Sequence, residues 1–383
     1  MSSTKLTPQD LEQYRRDRVL VDPYLEWAGD EGVPVIEDFG VDLLTTETKP
    51  WARFGCHGAI VNLKGRGNYC STFLFDLQPG GSTAPQRHLY EDVYYVLSGH
   101  GSTQVQTADG RTHSFEWGPK SLFALPLNAP YRLFNGSGTE PARLASTNNA
   151  GMVLNLYHDT DFVFENPEWF SDREQDESRY FGEGEMTPIR PGRVLWDTNF
   201  VPDLSAFEVK PWEARGKGSG NMQFILADGV LGAHVSEMPV GTYKKGHRHG
   251  AGLHIFLVHG EGYSLLWYPG DKDFVRVDWR HGMLFAPPDG MFHQHFDTSP
   301  EPARYLAVGL GSKRYPVIYM RRAGSENNRS DVSLKMGGRQ IEYEDQDPRI
   351  HALWLKEIDR TGVKSQMGDL FDEDAILKQI PAE

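Results

Sequence analysis

The stretch at residues 42–51 reads DLLTTETKPW, and the stretch at residues 203–212 reads DLSAFEVKPW. Both begin with Asp-Leu, carry Glu at the sixth position and end with Lys-Pro-Trp, at an offset of 161 residues. Self-similarity at a fixed period is the sequence signature of a repeated structural unit. The pair therefore predicts that the chain contains a duplicated domain.

The correspondence continues far downstream of these two stretches. An offset of 161 relates His88 to His249 and Gly99 to Gly260, and an offset of 162 relates Pro126 to Pro288, Tyr131 to His293 and Asn135 to Asp297. One inserted residue over this distance is what two copies of one domain would show. We therefore predict repeats at about 42–150 and 203–312, an N-terminal extension at 1–41, a connector at 151–202 and a C-terminal extension at 313–383.

Each repeat has the texture of β-structure. Runs such as STFLFDL, DVYYVLSG, HIFLVHG and YSLLWYPG are short, rich in β-branched and aromatic residues, and separated by Gly, Pro and Asn. This pattern is typical of sandwiches and barrels. Helix signals lie near the ends, where Thr7 and Asp347 can each cap a helix with proline at its first position. The predicted fold class is all-β, with two barrels in tandem and short terminal helices.

Composition restricts the classes of partner. The chain has 383 residues, 39% of them hydrophobic, and a net charge of −14. The charge repels phosphate backbones and no basic stripe is present, so we expect no nucleic-acid partner. No apolar run approaches the ~20 residues of a membrane span, and the polar N-terminus lacks a signal-peptide core, so we expect a cytoplasmic protein. Cys56 and Cys70 lack a CxxC spacing, which leaves His and carboxylates as metal ligands.

Four histidines fall within the segment KGHRHGAGLHIFLVHGEG at residues 245–262. Residues two apart on a strand point to the same face, so His247 and His249 are expected to project together while Arg248 points away. A separate strand after a Pro-Asp-Gly turn supplies His293. Because imidazole is a common ligand for transition metals, these three residues predict a metal site.

The segments at residues 241–260 and 282–297 resemble the two motifs of the cupin superfamily, and with its repeat the chain resembles a bicupin. The matching residues are Gly241, His247, His249 and Gly260 in the first motif, and Gly282, Pro288, Gly290, His293 and Asp297 in the second. The resemblance covers both repeats and implies cupin (jelly-roll) barrels. The segment from His247 to Gly260, with His293 and His295, is also similar to the metal-bearing motifs of gentisate 1,2-dioxygenase and its relatives.

That resemblance implies a mononuclear Fe(II), with Mn, Ni or Zn as alternatives, held by three histidines. The motif glutamate expected four residues after the second histidine is Leu253 here, so the ligand set should contain no carboxylate. Fe(II) and O₂ would then act on an anionic, chelating substrate, such as a hydroxylated aromatic acid. Walls formed by Phe285, Phe292 and Trp267 would suit a planar ligand.

Two further histidines are predicted to be catalytic. His295 shares a strand face with His293, and His254 follows the first pair at an odd spacing, so that only a β-bulge would turn it towards the metal. In the first repeat the motif positions hold Gln86, His88 and Tyr131, with two imidazoles missing. We therefore predict that the first barrel binds no metal and that His88 is a hydrogen-bonded core group.

Three functions stay open at this point. The first is a ring-cleaving, Fe(II)-dependent dioxygenase of the gentisate type. The second is a non-redox lyase, isomerase or decarboxylase in which the metal acts as a Lewis acid. The third is a binding or storage module without turnover. In each case we expect a small-molecule ligand and a homodimer or homotetramer.

Overall fold

The computed structural model describes residues 7–66, 69–190, 193–250, 252–317 and 329–379. The described chain forms two β-barrels, each built from one large sheet and one three-stranded sheet. The large sheets contain eight and nine strands, respectively. The predicted all-β fold, with two jelly-roll barrels in tandem and short terminal helices, is confirmed.

The first half of the chain contributes eleven strands. They are β1 (Val35–Ile36), β2 (Gly40–Asp42), β3 (Lys49–Trp51), β4 (Cys56–Val61), β5 (Ser71–Leu77), β6 (Asp92–Ser98), β7 (Gly101–Gln106), β8 (Thr112–Trp117), β9 (Leu122–Ala124), β10 (Tyr131–Asn135) and β11 (Ala142–Asn148). All pairing within the three-stranded sheet, in the order β10-β7-β8, is antiparallel.

The second half contributes twelve strands. They are β12 (Glu185–Arg190), β13 (Arg193–Thr198), β14 (Phe200–Val201), β15 (Lys210–Pro211), β16 (Gly220–Leu226), β17 (Leu231–Met238), β18 (His254–His259), β19 (Gly262–Trp267), β20 (Val275–Trp279), β21 (Met283–Phe285), β22 (Phe292–Asp297) and β23 (Ala303–Leu310). The second three-stranded sheet has the order β20-β19-β22.

Each barrel lends one short strand to the other. The first large sheet runs β1-β4-β5-β11-β6-β9-β14, and the second runs β12-β13-β16-β17-β23-β18-β21-β2, with β3 and β15 paired at the side to β4 and β16. Strand β2 lies between β1 and β3 of the first sheet in sequence but pairs with β21 of the second, while β14 lies between β13 and β15 of the second sheet but pairs with β9 of the first. The two barrels are therefore joined by backbone hydrogen bonds as well as by side chains.

In the described part of the chain, six α-helices accompany the sheets: α1 (Pro8–Arg16), α2 (Pro23–Asp30), α3 (Ala150–Tyr157), α4 (Thr160–Phe164), α5 (Pro348–Thr361) and α6 (Glu373–Gln379). The caps predicted at Thr7 and Asp347 are both present. Helices α3 and α4 correct the expectation that helices lie only near the ends. No described helix has the length and apolar character needed to cross a membrane.

Strand alternation divides the apolar residues between the barrel interiors and the interface. On β5, Phe73 and Phe75 point into the first barrel, whereas Leu74 packs between the two barrels. On β18, Ile255 packs inside the second barrel and Phe256 in the shared core. The large cluster inside the first barrel is rich in aromatic residues, while the cluster inside the second is much smaller. Space inside the second barrel is thus left for polar groups.

Helix α5 covers the outer face of the second three-stranded sheet. Its Trp354 is fully buried against Tyr243 and donates its indole N–H to the main-chain oxygen of Asp297 at 2.8 Å. Phe292 and Trp267 belong to the same apolar layer beneath the helix. The C-terminal extension therefore supports the sheet that carries His293 and His295.

Candidate metal centre

The two histidines of the first motif lie in an extended segment just before β18. His247 forms an antiparallel bridge with His293, with reciprocal N–H to C=O bonds of 3.0 and 2.9 Å. The predicted alternation holds, because Arg248 points the other way, over the Phe292 ring. A turn at Pro288–Met291, in which Gly290 has a φ of +75°, returns the chain to β22. Main-chain pairing thus fixes the spacing of the two motifs.

The three predicted ligand side chains converge. One ring nitrogen from each of His247, His249 and His293 lies within 4.8 Å of the others, and no other described group of three His, Cys, Asp or Glu side chains does so. Each Nδ1 faces a carbonyl oxygen, of Lys245 at 3.3 Å, Gly250 at 3.2 Å and Met291 at 3.3 Å, respectively. A carbonyl can only accept a hydrogen bond, so Nδ1 carries the proton and Nε2 keeps its lone pair.

Burial keeps His247 and His293 neutral, which is the form that binds metals. It lowers the pKa of His293 to about 3 and holds the pKa of His247 well below its usual value, with the Arg215 charge acting in the same direction. The donor set thus fits a transition metal, since three imidazoles converge and two of them are held in the neutral form by burial.

A cavity of about 330 Å³ opens onto the three histidines. Cationic side chains stand on its wall, where the Arg193 guanidinium lies 3.9 Å and the Arg215 guanidinium 5.1 Å from the centre of the Trp212 ring. Lys313 and Asp331 also line the cavity. Three basic side chains and one carboxylate therefore stand on the cavity wall.

The aromatic wall predicted from the sequence was wrong. Phe292 and Trp267 stack on each other under α5, on the opposite face of their strands from the cavity. Phe285 points into the second barrel, with its ring centre 6.0 Å from that of His295, but it does not line the cavity. Aromatic surface is supplied instead by Trp212 and Tyr305.

His254 does not join the cluster, contrary to the catalytic position predicted for it. Its Nδ1 lies 2.8 Å from Thr72 Oγ1 of the first barrel, and its side chain is fully buried. The reason is strand alternation: His254 has the same parity on β18 as Phe256 and Val258, which pack in the core between the barrels. Pairing with β23 is regular from His254 to Leu257, and the bulge in this strand lies between Leu257 and His259, too far along to re-aim His254.

His295, the second residue predicted to be catalytic, does line the cavity. Its Nδ1 lies 2.8 Å from Ser264 Oγ, and its ring centre is 5.0 Å from that of Tyr305. His234 lines the cavity as well. The role of His295 in turnover stays a prediction, and its position permits contact with a ligand.

Sequence reasoning missed most of the cationic wall. Arg193 and Arg215 stand outside both motifs, and no local pattern marks them. Trp212 was visible as the last residue of the DLSAFEVKPW repeat, but its counterpart Trp51 is fully buried in the first barrel. The repeat therefore indicated a position and not its exposure to a cavity.

The first barrel repeats the main-chain geometry without the ligands. Gln86 and Tyr131 form the same antiparallel bridge as His247 and His293. His88 Nε2 lies 3.0 Å from both Tyr131 Oη and Asp92 Oδ2, and Tyr94 adds a 2.6 Å contact to Tyr131. The space among these side chains is only about 10 Å³. A closed hydrogen-bond network thus occupies the position that the three-histidine cluster takes in the second barrel.

Comparison with known proteins gives structural similarity without sequence similarity. The chain matches no known protein family and no curated protein. Oxalate decarboxylase from Bacillus subtilis is 14% identical, with a TM-score of 0.45 and coverage of 82% of this chain and 85% of that one. Vicilin from tomato is 10% identical, with a TM-score of 0.46 and coverage of 72% and 85%. The 7S globulin of Momordica charantia is 13% identical, with a TM-score of 0.47 and the same coverage.

Proposed function

We propose that the chain is a metal-dependent enzyme that acts on a small carboxylate substrate in its second barrel, as a lyase, isomerase or decarboxylase without net oxidation. The observation that carries this proposal is the cavity beside the three histidines, whose wall is cationic. An enzyme needs both a reactive centre and a means of orienting the substrate, and this cavity places the two side by side.

The binding half of the proposal rests on Arg193 and Arg215. Both are largely buried, so their charges act in a region of low dielectric constant, where attraction to an anion is stronger than in water. Their guanidinium groups pack on Trp212, which restricts their orientation. Arginine in a fixed orientation can hold a carboxylate with two parallel hydrogen bonds.

The reactive half rests on His247, His249 and His293. A divalent metal held there would polarise a carbonyl or carboxylate oxygen and stabilise negative charge that develops next to it. Because all three ligands are neutral, the full charge of the metal would be available to an anionic substrate. The cavity of about 330 Å³ favours a small acid over a polymer.

A second candidate is the Fe(II)-dependent dioxygenase that the gentisate-type motif implies. The observation in its favour is that Leu253, at the position of the motif glutamate, lines the cavity. With three protein ligands and no carboxylate, positions would be left for a chelating substrate and for O₂. The absence of the predicted aromatic wall removes one argument for a hydroxylated aromatic acid as substrate.

One experiment separates the two. Protein loaded with Mn(II) or Fe(II) is incubated with a panel of oxalate, malonate, oxaloacetate, 2-oxo acids and hydroxybenzoates, with and without O₂. We expect at least one acid to be converted at the same rate under anaerobic conditions. Conversion that requires stoichiometric O₂ would establish the dioxygenase instead. A protein that binds no metal at this centre would contradict both.

A further inference from the structure

Lys244 is a fully buried basic side chain inside the second barrel. Its Nζ donates hydrogen bonds to Ser236 Oγ and, at 3.2 Å, to Tyr305 Oη, both of which are neutral groups. No carboxylate of the described residues lies within ion-pair distance of it. An ammonium group that is buried without a counter-charge destabilises the folded state, so Lys244 does not serve folding stability.

Tyr305 connects this lysine to the cavity. It lies on β23, is only 5% exposed, and lines the cavity that opens onto the metal centre. Because Lys244 donates to the Tyr305 oxygen, that oxygen is used as an acceptor and its own hydrogen is left to point elsewhere. Ser236 already accepts from Lys244 and donates to the Gly220 carbonyl at 3.3 Å. Tyr305 thus combines a hydroxyl group held by Lys244 with a position on the cavity wall.

The first barrel shows that the fold does not require this arrangement. Gly260 packs on Ala303 as Gly99 packs on Ala142, which aligns β23 with β11. By that alignment, Tyr305 corresponds to Leu144. Across the sheet, Tyr305 pairs with Ser236, whereas Leu144 pairs with Phe75. The barrel that lacks the three histidines thus fills the same two positions with apolar side chains. The polar group therefore accompanies the metal centre.

We propose that Tyr305 is the proton donor of the second barrel and that Lys244 is the positioning residue that holds its hydroxyl group and restores its proton. This proposal rests on the proposed function and adds to it the residue that donates the proton. When a bond to the substrate carboxylate carbon breaks and its electron pair stays on the substrate, the Tyr305 O–H bond breaks and its proton goes to the atom that holds the pair. The phenolate then takes a proton from the Lys244 ammonium group, which regains one from water after product leaves.

The surrounding charges are compatible with these roles. Burial raises the pKa of Tyr305, so its hydroxyl is protonated and able to donate at neutral pH. Burial and the neighbouring Arg215 and Arg193 charges lower the pKa of Lys244, while Glu237 acts in the opposite direction, which makes its proton easier to pass on. The rings of His295 and His234 lie 5.0 and 6.3 Å from the Tyr305 ring.

The test uses Tyr305→Phe, Lys244→Met and the double variant in the full chain loaded with Mn(II), with the acid that the panel above identifies. We expect kcat to fall by about 10²–10⁴-fold in Tyr305→Phe while KM and metal content stay unchanged. Because Lys244 acts through Tyr305, the double variant should be no slower than Tyr305→Phe alone. The matched control is Tyr263→Phe, which removes another buried hydroxyl, from the outer side of the same barrel.

Multiplicative losses in the double variant, or a Tyr305→Phe enzyme with wild-type kcat, would overturn the proposal while leaving the proposed function intact. A wild-type protein that converts no acid contradicts the proposed function instead. The placement of Tyr305 is then decided by a crystal structure with Mn(II) and malonate. We expect a malonate oxygen about 2.6–3.2 Å from Tyr305 Oη. A malonate bound at the metal but out of reach of Tyr305 would refute the role of this residue.

Discussion

Thr72 Oγ1 and His254 Nδ1 lie 2.8 Å apart and link β5 of the first barrel to β18 of the second. Both side chains are fully buried, and His254 Nε2 has no hydrogen-bond partner among the described groups. A protonated ring would leave a charge in this apolar interface. Burial, with the nearby Arg66 charge, therefore lowers the pKa of His254 to about 3.

We predict that His254→Gln weakens the acid sensitivity of the metal-free protein. Between pH 6.5 and about 3 the unfolded chain binds a proton at His254 that the folded chain does not, so the free energy of unfolding falls as the pH drops through this window. The contribution of one such group is at most about 1.4 kcal/mol per pH unit. Urea unfolding at several pH values, with and without the substitution, measures the difference.

Metal content gives the control for the same variant. Because His254 lies outside the three-histidine cluster, His254→Gln should keep stoichiometric metal and turnover. Identical pH dependence of unfolding in the two proteins would mean that the folded state also binds a proton at His254. Loss of metal from the variant would mean that His254 contributes to metal binding.

We predict that His249→Ala abolishes metal binding whereas His88→Ala leaves it intact. The first substitution removes one of three convergent imidazoles, and the second only opens the closed hydrogen-bond network of the first barrel. Elemental analysis of the purified variants measures the outcome. If the His88 variant lost its metal while circular dichroism showed an intact fold, the metal would bind in the first barrel and the prediction would be wrong.

We predict that Arg215→Met weakens the binding of malonate to the Mn(II)-loaded protein by roughly 10–100-fold, the scale of one charge-assisted hydrogen bond in a buried site. Isothermal titration calorimetry measures the affinity. The matched control is Arg276→Met, which removes a cation that also lies over an aromatic ring, Tyr263, but is remote from the cavity wall. Equal effects of both substitutions would argue for a general loss of positive charge.

We predict that Trp354→Ala destabilises the chain by about 3–5 kcal/mol, because it leaves a cavity under α5 and removes the bond to the Asp297 carbonyl. Trp169→Ala, at a position that is 38% exposed, should cost far less. Chemical denaturation measures both. A small effect at Trp354 would mean that α5 is not needed to support β22.

The fold was predictable because its information is local and repeated. The DLLTTETKPW and DLSAFEVKPW stretches, the alternating runs and the caps at Thr7 and Asp347 each show in a window of ten to fifteen residues. The exchange of β2 and β14 was not predictable in this way. Strands of two or three residues carry almost no periodicity, and their partners lie in the other barrel.

The candidate site was predictable only where motif spacing is short. His247 and His249 are two residues apart, and a turn fixes His293 beside them. Arg193 and Tyr305 enter from two other segments, and only the closure of the barrel brings them to the same cavity. The prediction that Phe292 and Trp267 line the cavity failed for the same reason. The sequence shows which residues share a face of a strand, but not which face a distant helix covers.

The exchange of β2 and β14 makes the chain an interlocked pair. Cutting the chain between residues 151 and 184 would leave the first half without β14 and the second half without β2, and the freed edges of β9 and β21 would offer unpaired main-chain groups to other copies. Neither barrel is then an exchangeable module. The half without the three-histidine cluster supports the half that carries it, and the two should unfold in a single cooperative step.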